Sequence, residues 1–161
     1  MLNSQNKCSI IKNNFISDEN FVSKKYTGLQ INKTLNEILL AFCNSNDENE
    51  IILDYRYFKV LSNLNCVHYD SIIQHVVDVI CGTIEKKDNF VIHVCLKSLS
   101  LTDIDKYYHF ICKISEILKT TFPDKLDKCF IYKAPFIFSQ LFNIISAFVD
   151  KKTMAKLELV S

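Results

Sequence analysis

The sequence predicts an α/β fold: a mostly parallel sheet of about four strands flanked by helices. Three observations carry that prediction. Residues 89–97 are apolar on both alternating faces, as a central strand covered on both sides must be. Several stretches around it repeat apolar residues at helical spacing. Finally, strand, helix and strand succeed one another between residues 89 and 132, the order of a right-handed parallel crossover. At 161 residues, 48% hydrophobic and 23% charged, the chain can bury one core and is too apolar to stay disordered.

Element by element, residues 1–28 are weakly periodic and read as an irregular arm or a short helix, with Gly28 as a stop. Residues 30–43 place Ile31, Leu35, Ile38, Leu39 and Phe42 on one helical stripe, and the polar run 44–50 reads as a linker. Residues 51–58 are rich in branched and aromatic side chains, which suits a strand. Asp70 is a plausible cap for a helix carrying Ile72, Ile73, Val76, Val77 and Ile80, which should stop near Gly82 or Glu85. After the central strand, 102–120 reads as one long helix and 127–132 as a short buried strand. A helix follows Pro135, and 156–160 alternates as a final strand. The division is an amino-terminal arm and amphipathic helix over 1–45, packed on a domain over 46–161.

Charge and composition exclude several function classes. Lys and Arg number 19 against 18 acidic residues, giving a net charge of +1, and Arg56 is the only arginine. Nucleic acid is therefore an unsuitable partner, even with Tyr107, Tyr108 and Phe110 available for stacking. The two glycines, Gly28 and Gly82, leave no phosphate-cradling loop and no nucleophile elbow. The seven cysteines lack any CxxC pair and read as reduced, in keeping with a cytoplasmic protein. Cys66, His68, His75 and Cys81 have one tight end only, which is not the spacing of a zinc site, and no metal or other cofactor is expected. His93 and Cys95 share a strand face in an apolar setting, which favours packing over catalysis. Asp103 and Asp105 are explained by a helix start.

The segment 136–149 is the most telling. Phe136, Phe138, Leu141, Phe142, Ile145 and Phe148, with Ile137, Ile144 and Val149, make it apolar almost all round. It falls short of the ~20 residues that span a bilayer, so something besides the core must cover its second face.

From residue 89 onward the chain resembles the CRAL-TRIO domain of Sec14-like lipid-transfer proteins. The residues that carry this are the strand 90–100, Phe122-Pro123-Asp124-Lys125-Leu126, Cys129 to Pro135, Phe138, and Phe148-Val149-Asp150 followed by Thr153 and Lys156. The family's string is a tyrosine-proline-x-x-leucine turn, a strand ending in asparagine-alanine-proline, and a helix leading to phenylalanine-leucine-aspartate and threonine-x-x-lysine. Here Phe122 replaces the tyrosine, Lys133 the asparagine, and Cys95 a frequent aspartate.

The resemblance implies non-catalytic binding, transfer or presentation of an amphipathic lipid such as a phosphoinositide, in an apolar cavity gated by the 136–149 helix. It implies a headgroup at Thr153 and Lys156, which lie three apart on one helical face and can converge on one anion. A transient membrane surface is then a partner and the protein is peripherally membrane-associated. The alternative is an interaction scaffold whose apolar helix meets a protein partner or a second copy. Because the chain stops at Ser161, short of the family's last helix and strand, the expectation is that the 30–43 helix packs on the carboxy-terminal half, or else that a second chain supplies the lid.

Overall fold

The computed structural model describes residues 35–46, 48–64 and 67–161, so the expected arm over 1–28 lies outside the described residues. The chain begins with α1 (Leu35–Phe42), β1 (Cys43–Ser45), β2 (Glu50–Asp54) and α2 (Tyr55–Ser62). Then come α3 (Tyr69–Lys87), β3 (Phe90–Cys95), α4 (Leu101–Lys106) and α5 (Tyr108–Thr121). The last elements are β4 (Leu126–Tyr132), α6 (Phe138–Ser146), α7 (Lys151–Met154) and β5 (Leu157–Val160).

The fold is α/β, with a 5-stranded sheet in the order β1-β2-β3-β4-β5. β1 pairs antiparallel with β2, and the other three pairings are parallel. Parallel neighbours taken in sequence order, each joined by a right-handed crossover, put every crossover on the same side of the sheet. The core follows from this. Ile51, Phe90, Ile92, Cys129 and Ile131 face one way and join Ile38, Phe42, Phe58, Ile72, Val76, Phe110 and Leu141 of the helices in one apolar cluster.

The opposite sheet face carries Phe130 and Tyr132, packed with Val91 and Val160, beside buried polar groups. His93 Nδ1 shares a hydrogen bond of 2.8 Å with the Tyr132 hydroxyl, and its Nε2 lies 3.8 Å from Glu50 Oε1. Asp54 holds the Arg56 guanidinium through Oδ1 at 3.0 Å and Oδ2 at 2.8 Å. The setting of His93 is thus a polar network, where the sequence reads an apolar one.

Several boundaries differ from the sequence reading, each for a local reason. The strand expected over 51–58 ends at Asp54, whose carboxylate accepts the Arg56 amide at 3.1 Å and caps α2. The expected linker 44–50 is a hairpin. Asn46 Oδ1 accepts the amides of Glu48 and Glu50, each at 3.0 Å, and Asn49 adopts φ 71. This adds β1 and raises the strand count from four to five.

The long helix expected over 102–120 is divided at Tyr107. Ser100 and Asp103 lock α4 with a capping box, and the Tyr107 hydroxyl is pinned to Ser62 at 2.7 Å. α3 is entered at His68 and not at Asp70, which instead meets Lys113 on the surface. It also runs past Gly82 to a left-handed Asp88 at φ 63. Finally, α1 packs on α2, β1 and β2 at the first edge of the sheet, not on the carboxy-terminal half. No linker separates α1 from β1, so the hairpin holds the helix beside it.

Candidate functional site

Between the sheet and the helices that cover it lies a cavity of ≈ 450 Å³. Ile92, Ile131 and Leu157, from three adjacent parallel strands, supply part of its floor, and Ile111 and Ile114 of α5 part of one wall. Phe138, Leu141 and Ile145 of α6 face it from the other side. These three recur at helical intervals, so one stripe of α6 turns inward. Leu141 is the one buried residue within α6 itself, and Phe138 and Ile145 are half-buried against the core.

The remaining gate residues of the sequence reading sit elsewhere. Phe142 touches Phe138 ring to ring at 6.1 Å but does not line the cavity, and neither does Phe148. Phe136 precedes the helix and is 97% exposed. α6 is shorter than the expected 136–149 segment, because the chain reaches it through turns after Lys133, whose φ of 54 is left-handed.

Thr153 and Lys156 both line the cavity, together with Asp150, Asp124 and Lys119. Asp150 caps α7: its Oδ1 accepts the Thr153 amide at 2.8 Å, and its Oδ2 accepts the Thr153 hydroxyl at 3.3 Å. The Lys156 ammonium donates to the Leu126 carbonyl, and Lys152 pairs with Asp124 at 2.9 Å. The Thr153 amide holds the Asp150 carboxyl below the usual carboxylate range, and Lys152 does the same for Asp124. This end of the cavity is therefore polar and internally hydrogen-bonded, with hydroxyl, ammonium and carboxylate groups side by side. Asp124 and Asp150 enter the sequence reading only as parts of the family string, and Lys119 not at all; none of the three is read there as a cavity residue. A cavity end assembled from α5, the following turn and α7 has no single periodic signature.

A second polar group lies among the apolar lining. Burial pushes the Asp103 carboxyl up, but hydrogen bonds from Ser100, Lys59 and Tyr55 outweigh this and hold it below its ordinary range. Lys59 Nζ stands 3.2 Å from Asp103 Oδ2.

The other sequence candidates are dispersed. His75 Nε2 bonds the Cys43 carbonyl at 2.8 Å, His68 is exposed at the start of α3, and Cys66 lies outside the described residues. Among the described residues, no three His, Cys, Asp or Glu side chains are grouped to hold a metal ion. Burial raises the Cys95 thiol, and it pushes Cys43 and Cys129 up to about 12, which leaves these sulfurs protonated near neutral pH. Among the described residues, no helix is long and apolar enough to cross a membrane.

Comparison with known proteins converges on one family. The profile of the CRAL/TRIO domain matches residues 36–161. A Sec14 cytosolic factor of Schizosaccharomyces pombe is 32% identical over 65 residues, covering 40% of this chain and 23% of the relative. A SEC14 cytosolic factor of Yarrowia lipolytica is 26% identical over 88 residues, covering 55% of this chain and 16% of the relative. The crystal structure of Sfh5 superposes with a TM-score of 0.62 at 13% identity, covering 80% of this chain and 50% of that one. The matched region thus spans a quarter or less of the curated relatives and half of Sfh5.

Proposed function

The chain belongs to the CRAL/TRIO domain family, and from that premise we propose that it binds an amphipathic lipid without covalent chemistry, for transfer or for presentation at a membrane surface. The observation that carries this reading is the apolar cavity between the sheet and α6, with Thr153 and Lys156 at a polar end. Its volume of ≈ 450 Å³ lies within the ~300–1,000 Å³ typical of ligand pockets. Four of the five charged lining residues, Lys119, Asp124, Asp150 and Lys156, gather at one end, with Asp103 alone among the apolar lining, and this distribution suits a molecule with a headgroup and a hydrocarbon part. Native mass spectrometry of the protein purified from cells, read under gentle and then denaturing conditions, tests it. About one lipid per chain, lost on denaturation, is the expected result; protein free of lipid that also takes none up from vesicles would refute it.

The headgroup proposal is finer: an anionic group such as a phosphoinositide phosphate at Thr153 and Lys156. The Thr153 hydroxyl would exchange its bond to Asp150 for one to the anion, while the Lys156 ammonium, which already donates to the Leu126 carbonyl, would add one of its remaining N–H donors from a partly exposed position. Lys156→Ala should therefore weaken phosphoinositide binding by about 1.5 kcal/mol, the low end for a charge-assisted bond. Neutral-lipid binding should hardly change. Equal phosphoinositide binding by wild type and a Thr153→Ala, Lys156→Ala double variant would remove the headgroup from this position.

The exposed Phe136, beside the helix that roofs the cavity, supports the second reading, a surface for a protein partner or a second copy. Light scattering across a concentration series separates the two. A lipid-free dimer dissociated by Phe136→Ser favours the scaffold.

A further inference from the structure

We infer that the cavity takes a lipid with two polar points, a headgroup at Thr153 and Lys156 and a hydroxyl group at the far end of its hydrocarbon part, which Asp103 receives. The inference rests on the lipid-binding reading above and narrows it to a ligand class. Asp103 lines the cavity and is 6% exposed. Leu99 and Tyr107, on either side of it in the chain, line the cavity too and are buried. The sheet register sets the two polar points apart. The Lys156 ammonium is bonded to the carbonyl of Leu126, which stands opposite Phe90 at the start of β3. Asp103 is bonded to Ser100, which follows β3, and to Tyr55, which follows β2 directly. Those two strands end side by side at Asp54 and Cys95. The rise from Phe90 to Cys95, about 16 Å at ~3.3 Å per residue, separates the level of Lys156 from the level at which the partners of Asp103 leave the sheet.

The chemistry of Asp103 selects what can lie against it. A carboxylate offers about four acceptor positions, and the Ser100 amide, Lys59 and Tyr55 account for three. A chain ending in a methyl group that reached this point would strip water from the remaining position and give nothing back, which costs free energy. A ligand hydroxyl fills the position without displacing any of the three donors. Lys59 Nζ, 3.2 Å from Oδ2, already balances the charge, so the place suits a neutral donor over an ammonium group. A site that can bond a hydroxyl discriminates against the analogue that lacks it.

The test uses the full chain and matched pairs of fatty acids, with and without a hydroxyl on the last carbon, in native mass spectrometry with a competition readout. Pairs of eight, twelve and sixteen carbons are compared, their carboxylates serving as the anionic head. Where the chain is long enough to reach Asp103, the hydroxy acid should bind about tenfold more tightly, the effect of one hydrogen bond to a charged group; the eight-carbon pair should show no preference. Asp103→Ala should abolish the preference, and the plain sixteen-carbon acid, relieved of the carboxylate, should bind that variant more tightly than wild type. Asp103→Asn serves if the first variant fails to fold: it keeps an acceptor for the Ser100 amide, and its neutral oxygen should shrink the preference. Equal binding of both acids at every length, or a preference that survives these substitutions at full size, overturns the inference while leaving lipid binding intact. Uptake of lipid from vesicles with no binding of any hydroxy acid overturns it as well. Failure to bind either the acids or vesicle lipid removes the lipid-binding reading, and the inference falls with it.

Discussion

At the scale of single residues, Lys133 shows how a family pattern and a backbone angle explain one another. The string that the chain resembles carries asparagine at this place, and Lys133 follows β4 with φ 54. Asparagine enters the left-handed region more readily than lysine, whose longer side chain gains no local hydrogen bond there. Lys133 is exposed, so Lys133→Asn relieves this cost without disturbing the core, and urea denaturation should show a gain of about 0.5–1 kcal/mol. Unchanged or lower stability would mean that the lysine makes a compensating contact. Asp103 gives a pH-dependent counterpart. Its folded carboxyl is held below the ordinary range, so its contribution is present above the unfolded value near ~4 and is lost as pH falls through the folded value. Asp103→Asn should therefore flatten the fall in unfolding free energy between neutral and strongly acidic pH, most visibly below the unfolded value. An acid limb as steep in the variant as in wild type would show that other carboxylates carry it.

At the scale of elements, the sequence is legible where periodicity and burial agree, and misleading where a cap or a turn decides. β3 and β4 announce themselves as apolar runs, and α5 and α6 as apolar helices, because each must fill space against the core. β1 is three residues long, too short to show a period, and its pairing depends on the hydrogen bonds of Asn46. Tyr55, Tyr57 and Phe58 carry strand preference, yet the Asp54 cap starts a helix with them and tertiary packing overrides propensity. The sequence shows 136–149 as apolar almost all round and offers six gate residues without choosing among them; the stripe that turns inward, Phe138, Leu141 and Ile145, is set by the packing of α6. Which aromatic residues stay outside, as Phe136 does, depends on where the helix begins, and boundaries are the least determined feature of a periodic pattern. Gly82 invites a stop, but α3 continues through it, and a Cβ added there would meet nothing within 4 Å. Gly82→Ala should accordingly stabilise the protein by about 0.8–1 kcal/mol in urea denaturation, the difference in helix propensity. A destabilised variant would mean that the position needs glycine for a reason other than helix geometry.

At the scale of the whole molecule, sheet topology and cavity are one consequence of the same wiring. Crossovers that all fall on one side of the sheet gather the helices there, and between them and the strands they enclose the cavity. A ligand that enters it binds the folded state alone, so by mass action it stabilises the protein by about 2.7 kcal/mol at a hundredfold excess over Kd. For a chain of this length that is a rise in Tm of roughly 5–10 °C. If the stabilisation comes from filling the cavity, a side chain that fills it in advance must remove the response. Ile145 is suited to the test, since it lines the cavity from α6 and is only half-buried, which leaves room for a larger residue to settle without displacing the core. Ile145→Phe is therefore expected to keep or raise the ligand-free Tm and to abolish most of the lipid-induced shift. Ile144→Phe, on the same helix but outside the cavity lining, should leave the shift in place. A shift that survives Ile145→Phe at full size would place the lipid on another surface, with α6 then serving as a face for contact and not as a roof over a bound ligand.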